Sequence, residues 1–122
     1  MFRQVRQIYL FSKNVEESAK WYEQFLQLSQ DKAEAILGQF ALIRISKIEF
    51  CFHKADEKSP VSTGGCVAYW EVDSLDETIQ RAIECGGEIY RGPIQIHNEP
   101  RWIVQIKDPF GNVIGVEGPR QL

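Results

Sequence analysis

Residues 7–28, QIYLFSKNVEESAKWYEQFLQL, decide the fold, because their pattern returns at residues 67–89 as VAYWEVDSLDETIQRAIECGGEI. Each stretch opens with a strand-like run of branched and aromatic residues. Each then places a polar cap three residues ahead of a glutamate, Asn14 before Glu17 and Ser74 before Glu77, the pattern that starts a helix. Sixty residues separate Gln7 from Val67 and Asn14 from Ser74. Two copies at that spacing nearly exhaust the 122 residues, so the chain is a duplicated unit with too few copies for a solenoid.

Both helical stretches carry one apolar stripe. The first is Val15, Ala19, Tyr22, Phe25 and Leu26, widened by Trp21 and Leu28. The second is Leu75, Ile79, Ala82 and Ile83, and it ends at Gly86-Gly87, where a left-handed residue can close the last turn. Three strand-like runs follow each helix. In the first copy they are a weak one near DKAEAIL (31–37), then QFALIRI (39–45) and IEFCFH (48–53). In the second they are GEIYRGPIQI (87–96), RWIVQIK (101–107) and VIGVE (113–117). Asp108, Pro109, Gly111 and Asn112 give turn chemistry to the last hairpin. The expected class is α+β, built from two βαβββ modules within one domain spanning residues 1–122. Module one covers about 4–53, a polar, breaker-rich linker about 54–65, and module two about 66–118.

Composition narrows the partners. A net charge of -3, without a run of either sign, lacks the basic stripe that a nucleic-acid backbone requires. Apolar residues near the start are interrupted too often for a secretory signal, and no segment is long and apolar enough to span a bilayer. Cys51, Cys66 and Cys85 are odd in number and widely spaced, which points to neither a disulfide framework nor a zinc knuckle. A reduced, cytoplasmic protein is expected, with no membrane and no nucleic-acid partner.

The ordered βαβββ pair, with DPFGN (108–112) before its final strand and NVEESAKWYEQFL (14–26) after its first, resembles the vicinal oxygen chelate superfamily. That group includes glyoxalase I, extradiol dioxygenases, fosfomycin-resistance enzymes and bleomycin-binding proteins. The resemblance implies a mixed sheet curled into a cup by the two modules, and a homodimer. It also implies metal ligands, in the metal-dependent members, on the first and last strands of each module. Those positions fall on Gln7, Glu49, Val67 and Gly115. The internal repeat independently pairs Gln7 with Val67 and Glu49 with Gly115.

One amide and one carboxylate fall short of the roughly three or more protein ligands that zinc takes. No tightly held metal or other cofactor is therefore expected, although a weak divalent ion helped by substrate oxygens stays open. Strand alternation sets Tyr9, Cys51 and Tyr69 beside Gln7, Glu49 and Val67, and the small Gly115 is expected to open room on the floor. The alternative is that these side chains only fill the barrel. Trp70, Arg101 and Trp102 are candidates for the rim, and His97 and Glu99 lie in a polar loop.

Glu49, between Ile48 and Phe50, is the expected anchor for a cationic ligand, or a general base. A one-residue slip in register would turn it to solvent instead. The expected function is small-molecule binding of the bleomycin-resistance type through Gln7, Tyr9, Glu49, Cys51, Tyr69, Trp102 and Gly115, without a metal. The first alternative is a lactoylglutathione lyase-like lyase or isomerase with Glu49 as the catalytic base and a weak divalent ion. The second is a non-catalytic assembly or regulatory domain.

Overall fold

Both capping patterns open helices in the computed structural model, which describes residues 1–27, 34–36 and 39–121. Asn14 and Ser74 are extended at φ -131° and -141°, and their side chains accept from the amides of Glu17 and Glu77 at 3.1 and 3.2 Å. The amide of Asn14 is taken by the hydroxyl of Ser12 at 3.1 Å. The chain divides into two compact units, Met1–Val61 and Ser62–Leu122. No helix among the described residues is long and apolar enough to cross a membrane.

The N-terminal unit runs β1 (Gln7–Ser12), α1 (Val15–Leu26), β2 (Glu34–Ile36), β3 (Phe40–Ile45) and β4 (Ile48–Lys54). Its sheet has the order β1-β4-β3-β2, with β1 parallel to β4 and the other neighbours antiparallel. A parallel pair needs a long crossover, which the helix and the two intervening strands supply. On α1 the buried face is Val15, Ser18, Ala19, Trp21, Tyr22 and Phe25, close to the expected stripe, with Leu26 half-buried. Leu28 and the ends of the DKAEAIL run lie outside the described residues. The Tyr22 ring packs edge-on to Phe50 at 5.1 Å and tilted on Phe52 at 5.4 Å. Each of these buried rings contributes roughly 1.5–3 kcal/mol through removal from water.

The C-terminal unit repeats the plan as β5 (Tyr69–Glu71), α2 (Leu75–Glu84), β6 (Glu88–Gln95), β7 (Arg101–Lys107) and β8 (Val113–Pro119). Its sheet order is β5-β8-β7-β6, again with the first and last strands parallel. Gly86 takes φ 93° after α2, and the amide of Gly87 reaches back to the Ala82 carbonyl at 2.8 Å. The helix buries Leu75, Thr78 and Ala82. The expectation for Ile83 fails, since it is 55% exposed, and Ile79 is half-buried. Thr78 takes the buried place because its hydroxyl is satisfied by the Ser74 carbonyl at 2.8 Å, so a polar residue costs little there. In the β7–β8 turn the buried Asp108 carboxylate accepts from the amides of Phe110 and Asn112 at 2.8 and 3.0 Å. Gly111, at φ 99°, supplies the left-handed residue.

Candidate functional site

Alternation on β4 sorts the N-terminal sheet into two faces. Phe50 and Phe52 meet Tyr22 of α1, so Glu49, Cys51 and His53 point away from the helix. The register sets Gln7 and Arg44 on either side of Glu49, Tyr9 and Leu42 beside Cys51, and Phe11 and Phe40 beside His53. In the first row the Gln7 side-chain amide donates to Glu49 Oε1 at 3.0 Å, and Arg44 Nε stands 3.7 Å from Glu49 Oε2. The Glu49 side chain is 27% exposed and Arg44 is 56% exposed, so the row stays open to a ligand.

Beyond that row the face turns aromatic. Tyr9 lies 6.3 Å from Phe11 and 6.0 Å from Phe40, and His53 lies 6.2 and 6.4 Å from the same two rings. Cys51 is fully buried in the row beneath. Its burial, then the Glu49 carboxylate, push the thiol up from its ordinary value, against a smaller opposing hydrogen bond with Tyr9. The Tyr9 hydroxyl is likewise raised, first by desolvation and then by Cys51 and Glu49. Cys51 is therefore a protonated packing residue at neutral pH and not a nucleophile.

The matching row of the C-terminal sheet is different in kind. Tyr69 and Gln105 stand on either side of Gly115, and Gln105 Nε2 donates to the Tyr69 hydroxyl at 3.0 Å. A Cβ on Gly115 would lie 2.4 Å from Tyr69 Cδ2. The expected empty floor at Gly115 is thus corrected: the ring of Tyr69 occupies it, which is why no side chain fits. The position expected at Val67 also moves, because β5 starts at Tyr69 and it is Tyr69 that faces Gly115. The sixty-residue offset holds at the helices but slips by two at the strand, because the stretch from Tyr69 to its cap Ser74 is two residues shorter than that from Gln7 to Asn14. One row further, Arg101 binds Glu117 at 2.6 Å and Glu71 at 3.3 Å, a closed ion-pair set.

Trp102 does not join Tyr69. It alternates with Val104 and Ile106, both buried, on the face opposite Gln105. Arg120 covers its ring at 5.1 Å while binding Asp76 at the start of α2 at 2.9 Å. Those bonds, with the Gln121 amide, hold the Asp76 carboxyl below the usual carboxylate range. Trp70 pairs with Val116 in register and shares that face. His97 is exposed in the β6–β7 loop.

Sequence reasoning missed Arg44, Gln105 and the Phe11, Phe40 and His53 set. Arg44 had a usable signal. If Ser46-Lys47 is a two-residue hairpin turn, Ile45 meets Ile48 and Arg44 meets Glu49, as the register has it.

A metal ion finds a poor donor set here. Gln7 and Glu49 offer one amide oxygen and one carboxylate, with a guanidinium beside them, and the other row offers only the Tyr69 hydroxyl and the Gln105 amide. Among the described residues no three side chains of His, Cys, Asp or Glu come together as ligands.

Two mixed four-stranded sheets among the described residues, each crossed by one helix in a βαβββ order, define the class. The profile of the Glyoxalase/Bleomycin resistance protein/Dioxygenase superfamily matches residues 4–116, and the chain belongs to that superfamily. A glyoxalase/bleomycin resistance protein/dioxygenase family enzyme from Burkholderia phytofirmans PsJN superposes with a TM-score of 0.78 at 15% identity, covering 95% of this chain and 98% of its own. Protein ATC0852 from Agrobacterium tumefaciens gives 0.78 at 16% identity, covering 96% and 98%. The genomically encoded fosfomycin resistance protein FosX from Listeria monocytogenes gives 0.75 at 12% identity, covering 97% and 94%. At such identities the likeness establishes the fold alone. No curated protein sequence matches the chain.

Proposed function

We propose that the protein binds a small organic molecule on the face of its N-terminal sheet turned away from α1, without a tightly held metal ion. The observation that carries this reading is the Gln7–Glu49–Arg44 row lying next to Tyr9, Phe11, Phe40 and His53. A few fixed polar groups beside aromatic surface is the usual make-up of a small-molecule site. The names of the superfamily and of its fosfomycin-resistance member support a role in handling small molecules.

The lyase or isomerase alternative requires Glu49 to abstract a proton. Gln7 and Arg44 already engage its two oxygens, so the carboxylate serves better to hold those two side chains in place than as a base. The free cysteines support a reducing, cytoplasmic setting. A homodimer is supported by β6, an edge strand that exposes Ile89, Tyr90 and Ile94.

The test is a thermal-shift screen of chelator-treated protein against aromatic small molecules and, separately, nickel, cobalt, zinc and manganese. Ligand-dependent stabilisation without metal, lost in Arg44→Met, is the expected result, because binding to the native state alone raises the melting temperature. Stoichiometric metal in freshly purified protein, or a large shift with one ion, would overturn the reading.

A further inference from the structure

A cavity of about 340 Å3 opens at the end of the same sheet, where β1 begins and β3 turns into β4. Gln4, Arg6, Arg44, Ser46, Lys47, Ile48 and Glu49 line it, all within the N-terminal unit. We infer that this cavity takes the phosphoryl group of a small organic phosphate. The inference rests on the proposed function and specifies its ligand, because Glu49 and Arg44 belong to both surfaces.

The charge balance carries the argument. Arg6, Arg44 and Lys47 bring three cations, and among the described lining residues Glu49 is the one acid. That carboxylate already accepts from Gln7 and faces Arg44, so the remaining field is positive, in a chain whose net charge is -3. The earlier expectation of a cationic ligand at Glu49 does not suit these neighbours. A phosphate monoester carries close to two negative charges at neutral pH and three acceptor oxygens, and guanidinium groups can grip it by two bonds at once.

The backbone fixes the cations. Arg6 offers its carbonyl to the Glu49 amide at 2.9 Å, which pins the approach to β1 against β4. Ser46 sits at φ 55°, a region that favours glycine, so the two-residue Ser46-Lys47 connection is a tight turn of defined shape. The volume exceeds that of a bare ion and sits near the lower end of organic-ligand pockets, roughly 300–1,000 Å3.

The test is amide-resolved NMR titration of the whole chain with phenyl phosphate, phenol, benzyltrimethylammonium and inorganic phosphate. Saturable shifts at Arg6, Arg44, Ser46 and Lys47 with phenyl phosphate, weakened by added salt, are expected. The doubly substituted Arg6→Gln, Lys47→Gln protein should bind about tenfold or more weakly at unchanged melting temperature, since two charge-assisted contacts are lost at exposed positions. If phenol or the cation moves Tyr9 and Phe40 while phenyl phosphate leaves the basic residues unmoved, the inference falls and the proposed function stands. If no compound moves either set, both fall. Undiminished binding in the double variant, or equal affinity for inorganic phosphate, also overturns the inference.

Discussion

The two sheets share strand order, parallel outer pairing and a capped helix, yet their equivalent rows share no chemistry. Gln7–Glu49–Arg44 is polar, charged and open. Tyr69–Gly115–Gln105 is uncharged, an aromatic ring lying on a glycine and tethered at its hydroxyl. The helix-bearing faces are constrained by packing and must stay apolar, as Phe50, Phe52, Val104, Ile106 and Val116 do. The opposite faces are not so constrained. A duplicated scaffold can therefore carry a charged row on one half and an aromatic, uncharged row on the other.

The largest effect expected from breaking this contrast is at Gly115. Gly115→Ala forces the Tyr69 ring off the strand and breaks its bond to Gln105, costing roughly 1–3 kcal/mol, the range for overpacking. In a Tyr69→Ala background the same change should cost at least about 1 kcal/mol less, the signature of a direct contact in a double-mutant cycle. Urea denaturation measures both. Additive costs would mean that something other than the ring keeps Gly115 bare.

Next comes the ion-pair set of the C-terminal sheet. Arg101→Met leaves Glu71 and Glu117 beside each other without their cation, and a loss of about 1 kcal/mol is expected for a partly exposed pair of good geometry. Arg44→Met, in the N-terminal row, should cost less than about 1 kcal/mol, because Arg44 is more exposed and stands further from its carboxylate. The contrast sharpens if Arg44→Met nevertheless abolishes ligand-dependent stabilisation while Arg101→Met retains it. Denaturation midpoints and thermal shifts on the same pair of variants decide this.

Elements with strong local signals were legible in the sequence. Asn14 and Ser74 announced both helices, and RWIVQIK marked β7 to the residue. Asp108 to Asn112 announced the last turn, because one side chain satisfies two amides there. Gln7 and Glu49 were set on one floor by the resemblance and by strand alternation, and they lie side by side in the register of β1 and β4. What failed depended on long-range placement. The slip from Val67 to Tyr69 came from the shorter stretch between strand and cap, which a constant offset cannot carry. Trp102 looked like a rim residue because nothing local foretells that Arg120 will cover it and bind Asp76. Ile83 looked buried because a helical stripe cannot say how far a helix is rolled on its sheet.

The helix starts give the last and smallest contrast. Both have a capping side chain and two acids in the first turn, but at α2 Asp76 is also clamped by Arg120 and the Gln121 amide. These donors hold the folded-state pKa of Asp76 below its unfolded value. The sign follows from linkage: the unfolded chain binds the proton more readily, so the clamp's contribution is full above the unfolded value, about 3.9, and is lost as pH falls through the lower folded one. Asp76→Asn should therefore lower the denaturation midpoint at pH 7 by a small amount, with the difference from the parent shrinking on acidification below about pH 4. Glu16→Gln at α1, which has no equivalent clamp among the described residues, serves as the control for the helix dipole alone. If both variants lose stability equally and with the same pH dependence, Arg120 contributes nothing beyond the dipole, and its place over Trp102 is packing.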